Sequence, residues 1–250
     1  MLAKKPSVVY LVGLFFLIAT FVLIFSIRQT QALTDLRVGE KMSFSITFKG
    51  LLIGHGYLEV CGKETFQDKE VYHLVSFAQT EDFFASFFYL KDRVDTLVDV
   101  GNLDTIVYEK SAQEGNKSEH IKVVFNNDNN TAVVDDKTYE IIPGSRDILG
   151  SFYYLRTIPL TIGDSFTLPI YHGEHNTTLN ISVIGSESLE IPAGTFETIV
   201  IKGVMDSSDG IFTGSSDFKL WLTNNDERYV AKIQAGLIIG NIDVSLINIE

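Results

Sequence analysis

The residues of this chain best suited to chemistry are three acid–base groupings beside apolar runs: Asp92 with Arg93, Asp147 with Arg156, and Asp226 with Arg228. A guanidinium is a planar fork that donates two parallel bonds to a carboxylate or phosphate. These groups can therefore grip a ligand head group, or they can be ion pairs that fix local elements in place. The structural reading is preferred. Asp147 and Arg156 are nine residues apart, about two and a half turns on one helix, so they cannot pair with each other. Each needs a partner from elsewhere, and Arg93 and Asp226 are the expected ones.

Other chemistries find less support. His172 and His175 flank Gly173-Glu174, but this spacing reads as a solvated turn, and no further zinc ligand is evident. No G-x-S-x-G nucleophile motif occurs, and Ser145 reads as a helix cap. Paired carboxylates for glycoside hydrolysis depend on a separation in space that sequence does not show. No phosphate-cradling glycine loop is present. Gly54 and Gly56 read as a bulge or a close strand crossing. No catalytic residue, metal or cofactor is therefore expected.

Positioning these side chains requires a β scaffold. In MSFSITFK, Met42, Phe44, Ile46 and Phe48 alternate with Ser43, Ser45 and Thr47, the pattern of a half-buried strand. Similar runs recur to the C-terminus, separated by turns rich in Gly, Asn and Asp. The expected fold is all-β: an antiparallel, strongly curved sheet or incomplete barrel, in one domain over residues 36–250. Trp221 alternates with Leu220 and Leu222 and is expected in the core beside Phe and Tyr.

Two stretches break the β pattern. EDFFASFFYL places Phe83, Phe84, Phe87 and Phe88 on one face of a short helix. DILGSFYYLR places Ile148, Leu149, Phe152 and Leu155 on one face, with Ser145 as N-cap, Arg156 near the C-terminal end and Pro159 as the stop. If both helices sit at one end of the sheet, Phe83, Phe84, Phe87, Phe88, Phe152, Tyr153 and Tyr154 frame either a dry core or an apolar pocket.

The chain carries a net charge of -12. Lys4, Lys5 and Arg28 are the only charged residues before Leu33, so the remainder carries -15. Such a surface repels phosphate backbones, which argues against nucleic acid. Cys61 is the only cysteine; no internal disulfide is possible, and in YLEVCG it reads as a packed hydrophobe. Val8–Ile27 is an uncharged apolar run long enough to cross a bilayer. The lysines before it keep the N-terminus inside and send the rest across. Residues 1–32 are thus a signal peptide cut after Ala32 or a retained anchor. The remainder is expected outside the cytoplasm, as a periplasmic protein or one tethered to the inner membrane.

RDILGSFYYLRTIPLTIGDSF at 146–166 resembles the central signature of the exported bacterial family catalogued as domain of unknown function 3108. Four more blocks agree in order: LRVGEKMSFSITFKGLLIGHGYLEV at 36–60, FYLKDRVDTLVD at 88–99, IPAGTFETIVIKG at 191–203, and WLTNNDERYVAKIQAGLIIGNIDVSL at 221–246. The resemblance implies an exported, mostly antiparallel β domain with no established activity. It singles out Glu40, Asp92, Arg93, Asp147, Tyr154, Arg156, Trp221, Asp226 and Arg228 among others. The family more often has a serine-aspartate turn where this chain reads TNNDER.

The leading functional reading is a non-enzymatic envelope protein that binds a hydrophobic or glycan-type molecule, or a protein partner, in or beside the sheet. Arg93, Asp147, Tyr154, Arg156, Asp226 and Arg228 are its candidate ligand-binding residues. The alternatives are a structural or assembly factor without a small-molecule ligand, and a hydrolase of envelope polymers.

Overall fold

The computed structural model describes residues 35–86, 89–205, 216–237 and 240–250. The expected membrane segment, the cleavage site after Ala32, and Phe87 and Phe88 lie outside the described residues. No helix among the described residues is long and apolar enough to cross a membrane.

Among the described residues, fourteen strands form one antiparallel sheet. A first meander runs through β1 (Lys41–Phe48), β2 (Leu51–Phe66), β3 (Lys69–Thr80), β4 (Leu90–Asp99), β5 (Thr105–Glu114), β6 (Lys117–Asn126), β7 (Thr131–Val134) and β8 (Lys137–Glu140). A second runs through β9 (Ser165–His172), β10 (His175–Ile191), β11 (Gly194–Met205), β12 (Ser216–Thr223), β13 (Val230–Leu237) and β14 (Gly240–Ile249). Pairing of β1 with β14 joins the two, with Phe44 opposite Leu246. The edges are therefore β8 and β9, which do not pair. The connecting segment partly closes this seam. Ile141 N–H donates to Asn130, Ile142 N–H donates to the Asn176 side chain, and Arg146 and Tyr171 extend the contact along β9. The sheet is a barrel-like curve with one covered gap, and its covered edges are poor templates for further strand addition.

Among the described residues, two helices interrupt the strands. α1 (Asp82–Ala85) is a single turn that buries no residue. The expected aromatic face over the sheet is therefore not found among its described residues, and Phe83 is 73% exposed. α2 (Ile148–Thr157) is buried on more than one side: Leu149, Tyr153, Leu155 and Arg156 are all inaccessible. It lies in the concave face, where Leu155 packs with Met42, Phe44, Ile170, Ile201, Leu220, Leu222 and Leu246. This is the main core. A second cluster joins Tyr108, Val123, Phe125 and Val134 to Tyr171. Every residue of these clusters follows Asp35, so the unit Asp35–Glu250 carries its own core.

Alternation sends Trp221 the opposite way from Leu220 and Leu222, as expected. Those two occupy the main core, however, so Trp221 does not. It is buried on the convex face among Val200, Ala231, Leu189 and Ile191, and its indole N–H donates to Glu187 at 2.6 Å. The long β10–β11 hairpin curls over it. Gly54 and Gly56 allow a close strand approach: a Cβ on either would lie 2.5 or 2.4 Å from the Gln79 or Phe77 carbonyl oxygen.

Candidate functional site

Asp147 opens α2. Its backbone is extended (φ -73°, ψ 171°), and its carboxylate accepts from Leu149 N–H at 2.8 Å and Gly150 N–H at 3.2 Å. It is therefore the N-cap, where Ser145 was the expected one. Its remaining lone pairs accept from Thr96 Oγ1 at 3.1 Å and Thr105 Oγ1 at 2.7 Å. Arg93 is not its partner. Complete burial pushes the Asp147 carboxyl above the usual range, and the bonds from Thr105, Gly150, Thr96 and Leu149 oppose that shift. These threonines sit on or beside β4 and β5, so the cap pins α2 to the sheet.

Arg146, one residue earlier, binds Asp104 at 2.5 Å and lies 3.9 Å from the Tyr154 ring centroid. Tyr154 thus serves as a stacking surface for a neighbouring arginine.

The other end of α2 holds Arg156. Its Nη1 and Nη2 donate to Glu40 Oε1 at 2.6 Å and Oε2 at 2.9 Å. Both side chains are buried, at 5% and 3% exposure. Nε donates to the Arg228 carbonyl at 3.0 Å and Nη2 also donates to the Glu227 carbonyl at 2.9 Å. Asp226 is exposed and is not the partner of Arg156. It lies in the β12–β13 turn, where it acts on Arg228 through charge alone. Burial of Arg228 outweighs that attraction and lowers its pKa. Arg228 (φ 47°) returns a bond to the Ile158 carbonyl. The turn and the helix end therefore latch each other.

Arg93 is elsewhere. Alternation places Thr96, Val94 and Asp92 on the concave face and Arg93 on the convex face, where it binds Asp95 through two bonds of 2.7 Å. The six sequence candidates thus do not converge. Arg156 and Arg228 meet at one end of α2, with Asp226 in the adjoining turn. Asp147 and Tyr154 belong to the helix's own attachment, and Arg93 faces away. Their polar groups are largely satisfied within the chain, leaving no open head-group clamp.

A different region remains open. On strand after strand, inward-facing residues are buried alongside α2 and lose burial toward the opposite end. On β1, Met42 and Phe44 are buried while Ile46 and Phe48 are only half-buried. The same step separates Leu220 from Phe218, Ile201 from Met205, Leu246 from Val244, and Thr96 from Val94. Leu58, Phe152, Phe218, Ile233 and Val244 pack on the main core yet keep solvent contact. These concave, apolar, half-buried residues line the inward face beyond α2, the lumen side of the sheet. Phe152 of α2 borders this face, with its ring 6.1 Å from that of Phe218. Phe218 in turn lies over Gly203, its register partner, where a Cβ would fall 2.2 Å from the ring.

Near the open end the lumen turns polar. Lys110, on β5, binds Glu119 of β6 at 2.8 Å. Asp92 lies beside them, and His172 meets Tyr108 edge-on with ring centroids 6.0 Å apart. His172 is exposed, yet surrounding protein and the Lys110 charge lower its pKa, as expected of a ring facing a concave mouth. Sequence reading missed Thr96 and Thr105, did not name Glu40 as the partner of Arg156, and did not bring Asp92 and His172 together with Lys110 and Glu119. Strand alternation divides the Asp92–Arg93 pair read from the sequence between the two faces of the sheet.

With this geometry in hand, the similarities to known proteins can be placed. Residues 43–247 match the family described as "Protein of unknown function (DUF3108)". The chain belongs to the DUF3108 family. No curated protein matches it. Among solved structures, it resembles a β-barrel-like protein of the unknown-function domain DUF1849 from Brucella abortus, with a TM-score of 0.58 at 7% identity over 86% of this chain and 98% of that one. This likeness supports the β-barrel-like fold and nothing finer. Weaker likenesses are to a candidate exported protein with a YmcC-like fold from Bacteroides fragilis (TM-score 0.38, 13% identity, covering 87% and 98%) and a candidate lipoprotein from Parabacteroides distasonis (TM-score 0.40, 11% identity, covering 89% and 100%). DUF3108 membership agrees with the resemblance read from the five sequence blocks.

Proposed function

We propose that this DUF3108 protein is a non-enzymatic binding protein of the cell envelope that holds an alkyl-chain molecule in the open half of its lumen. The carrying observation is the change from buried to half-buried along the inward face, which leaves aromatic and aliphatic side chains lining a concave surface instead of filling it. Sites for small apolar ligands are concave, mostly apolar and furnished with a few polar groups. Extracytoplasmic location is part of the proposal and rests on the basic residues and apolar run at the N-terminus. The test is titration of residues 33–250 with decanol, followed by chemical shifts of methyl groups. Saturable one-to-one shifts at Ile233, Val244 and Met205, lost in Phe218→Trp, support the reading. Shifts confined to the convex face would sink it.

A second reading has its own observation. Leu51 and Leu52 are 61% and 50% exposed, and Phe83 lies in the connection beside them, tied by the Glu81 N–H to Ile53 carbonyl bond. Exposed apolar tips suit contact with a protein partner. Loss of an assembly in Leu51→Asp/Phe83→Asp, with decanol binding unchanged, would favour it.

A further inference from the structure

Asp92 is a carboxylate without a partner on the inward face. Its Oδ1 is sealed from water and receives no hydrogen bond. Its register partners are Ala78 on β3 and Ala112 on β5. Neither has a polar side-chain atom to offer, and both are small, so the carboxylate sits in a notch between two methyl groups. The cation whose charge acts on it, Lys110, is already held by Glu119. Glu114 and Glu119 are the other charges acting on Asp92, and both are acidic. Burial foremost raises its pKa, Lys110 opposes the rise, and the two glutamates add to it. An unpaired carboxylate in such a place costs stability unless something arrives to pair with it.

From this notch we propose that the ligand carries a protonated amine, which pairs with the accessible side of the half-buried Asp92 carboxylate while its alkyl chain lies along Val94, Phe152 and Phe218. The inference rests on the lumen reading above and specifies its head group. Asp92, Glu114 and Glu119 face Lys110, which Glu119 holds, and Lys117, which stands opposite Glu114; Asp92 is the acid left without a cation, so a cationic head is favoured and a carboxylate disfavoured. An ammonium brings three donors and no acceptor, which complements a carboxylate lacking donors. A neutral hydroxyl head would satisfy one lone pair and leave the charge unpaired.

The experiment compares decylamine, decanol and decanoate, each titrated below its aggregation limit into residues 33–250 at pH 7. An alkylamine is protonated there, as a lysine is. Wild type is expected to bind decylamine at least about tenfold more tightly than decanol, the gain expected of one charge-assisted bond, and decanoate least. Asp92→Asn should remove the amine preference while decanol still binds, because the Asn oxygen can accept from a hydroxyl. Ala112→Leu, which fills the notch, should do the same by a different route, and a thermal melt of each variant checks folding. Equal binding of decylamine and decanol by wild type would overturn the head-group inference while the lumen reading stands. A preference that survives Asp92→Asn, or tighter binding of decanoate, would also overturn it. Failure of all three probes would overturn both.

Discussion

Replacing Arg156 by alanine should cost about 3–5 kcal/mol of folding stability. The reasoning is local. Arg156 and Glu40 are 5% and 3% exposed and joined by two bonds of 2.6 and 2.9 Å. Truncation leaves the Glu40 carboxylate in the interior without its charged partner. It also removes the donors to the Arg228 and Glu227 carbonyls, which tie the β12–β13 turn to α2. The pair itself need not be stabilising, because desolvating two charges costs about as much as their attraction returns. Arg156→Ala combined with Glu40→Leu should therefore cost less than the two single variants summed, by at least about 2–3 kcal/mol. Urea unfolding of residues 33–250, followed by Trp221 fluorescence and circular dichroism, measures all four corners of the cycle. A loss below about 1 kcal/mol for Arg156→Ala, the range of exposed pairs, would refute the buried-latch reasoning. Unchanged melting with lost binding would instead return Arg156 to the ligand site.

Trp221→Ala should cost about 3 kcal/mol by emptying the convex-face cluster and unpairing Glu187; calorimetry reads it. Gly203→Ala should cost about 1–3 kcal/mol, because Phe218 has to leave its position over Gly203, and the Phe152–Phe218 contact should shift in methyl and aromatic spectra. Asp95 tests pH dependence. Burial raises its pKa, but hydrogen bonds from Arg93 and His73 outweigh it and leave the pKa lowered. Its contribution is then present above the unfolded value of about 4 and lost as pH falls below it. Asp95→Asn should cost at most about 1 kcal/mol at pH 7, since the pair is partly exposed. That difference should shrink as pH falls below about 4.

The fold was legible because its signal is local. Alternation in MSFSITFK and the Gly/Asn/Asp turns mark strands one at a time, and an antiparallel meander needs only neighbours to pair. Pairing of β1 with β14 was not legible, since nothing in either strand names a partner two hundred residues away. The helix at 148–157 was readable from its apolar spacing and Pro159. Its cap was not: Ser145 and Asp147 are both good caps, and Thr96 and Thr105, which choose between them, lie on distant strands. The same blindness applied to Arg156, whose partner Glu40 stands alone before the first strand while Asp226 offered a nearer but exposed acid. Trp221 shows the limit of alternation. Its opposition to Leu220 and Leu222 was correct, but both sheet faces bury apolar groups, so the pattern could not tell which face was the concave core. The α1 aromatics failed for a related reason, because helical spacing specifies a face and not whether anything covers it.

The most direct test of the binding account is mass spectrometry of small molecules extracted from residues 33–250 purified without detergent from the envelope fraction. The account expects close to one equivalent of an alkyl-chain amphiphile per protein, reduced in Phe218→Trp. Protein free of any such molecule, with the same methyl spectrum before and after solvent extraction, would contradict it.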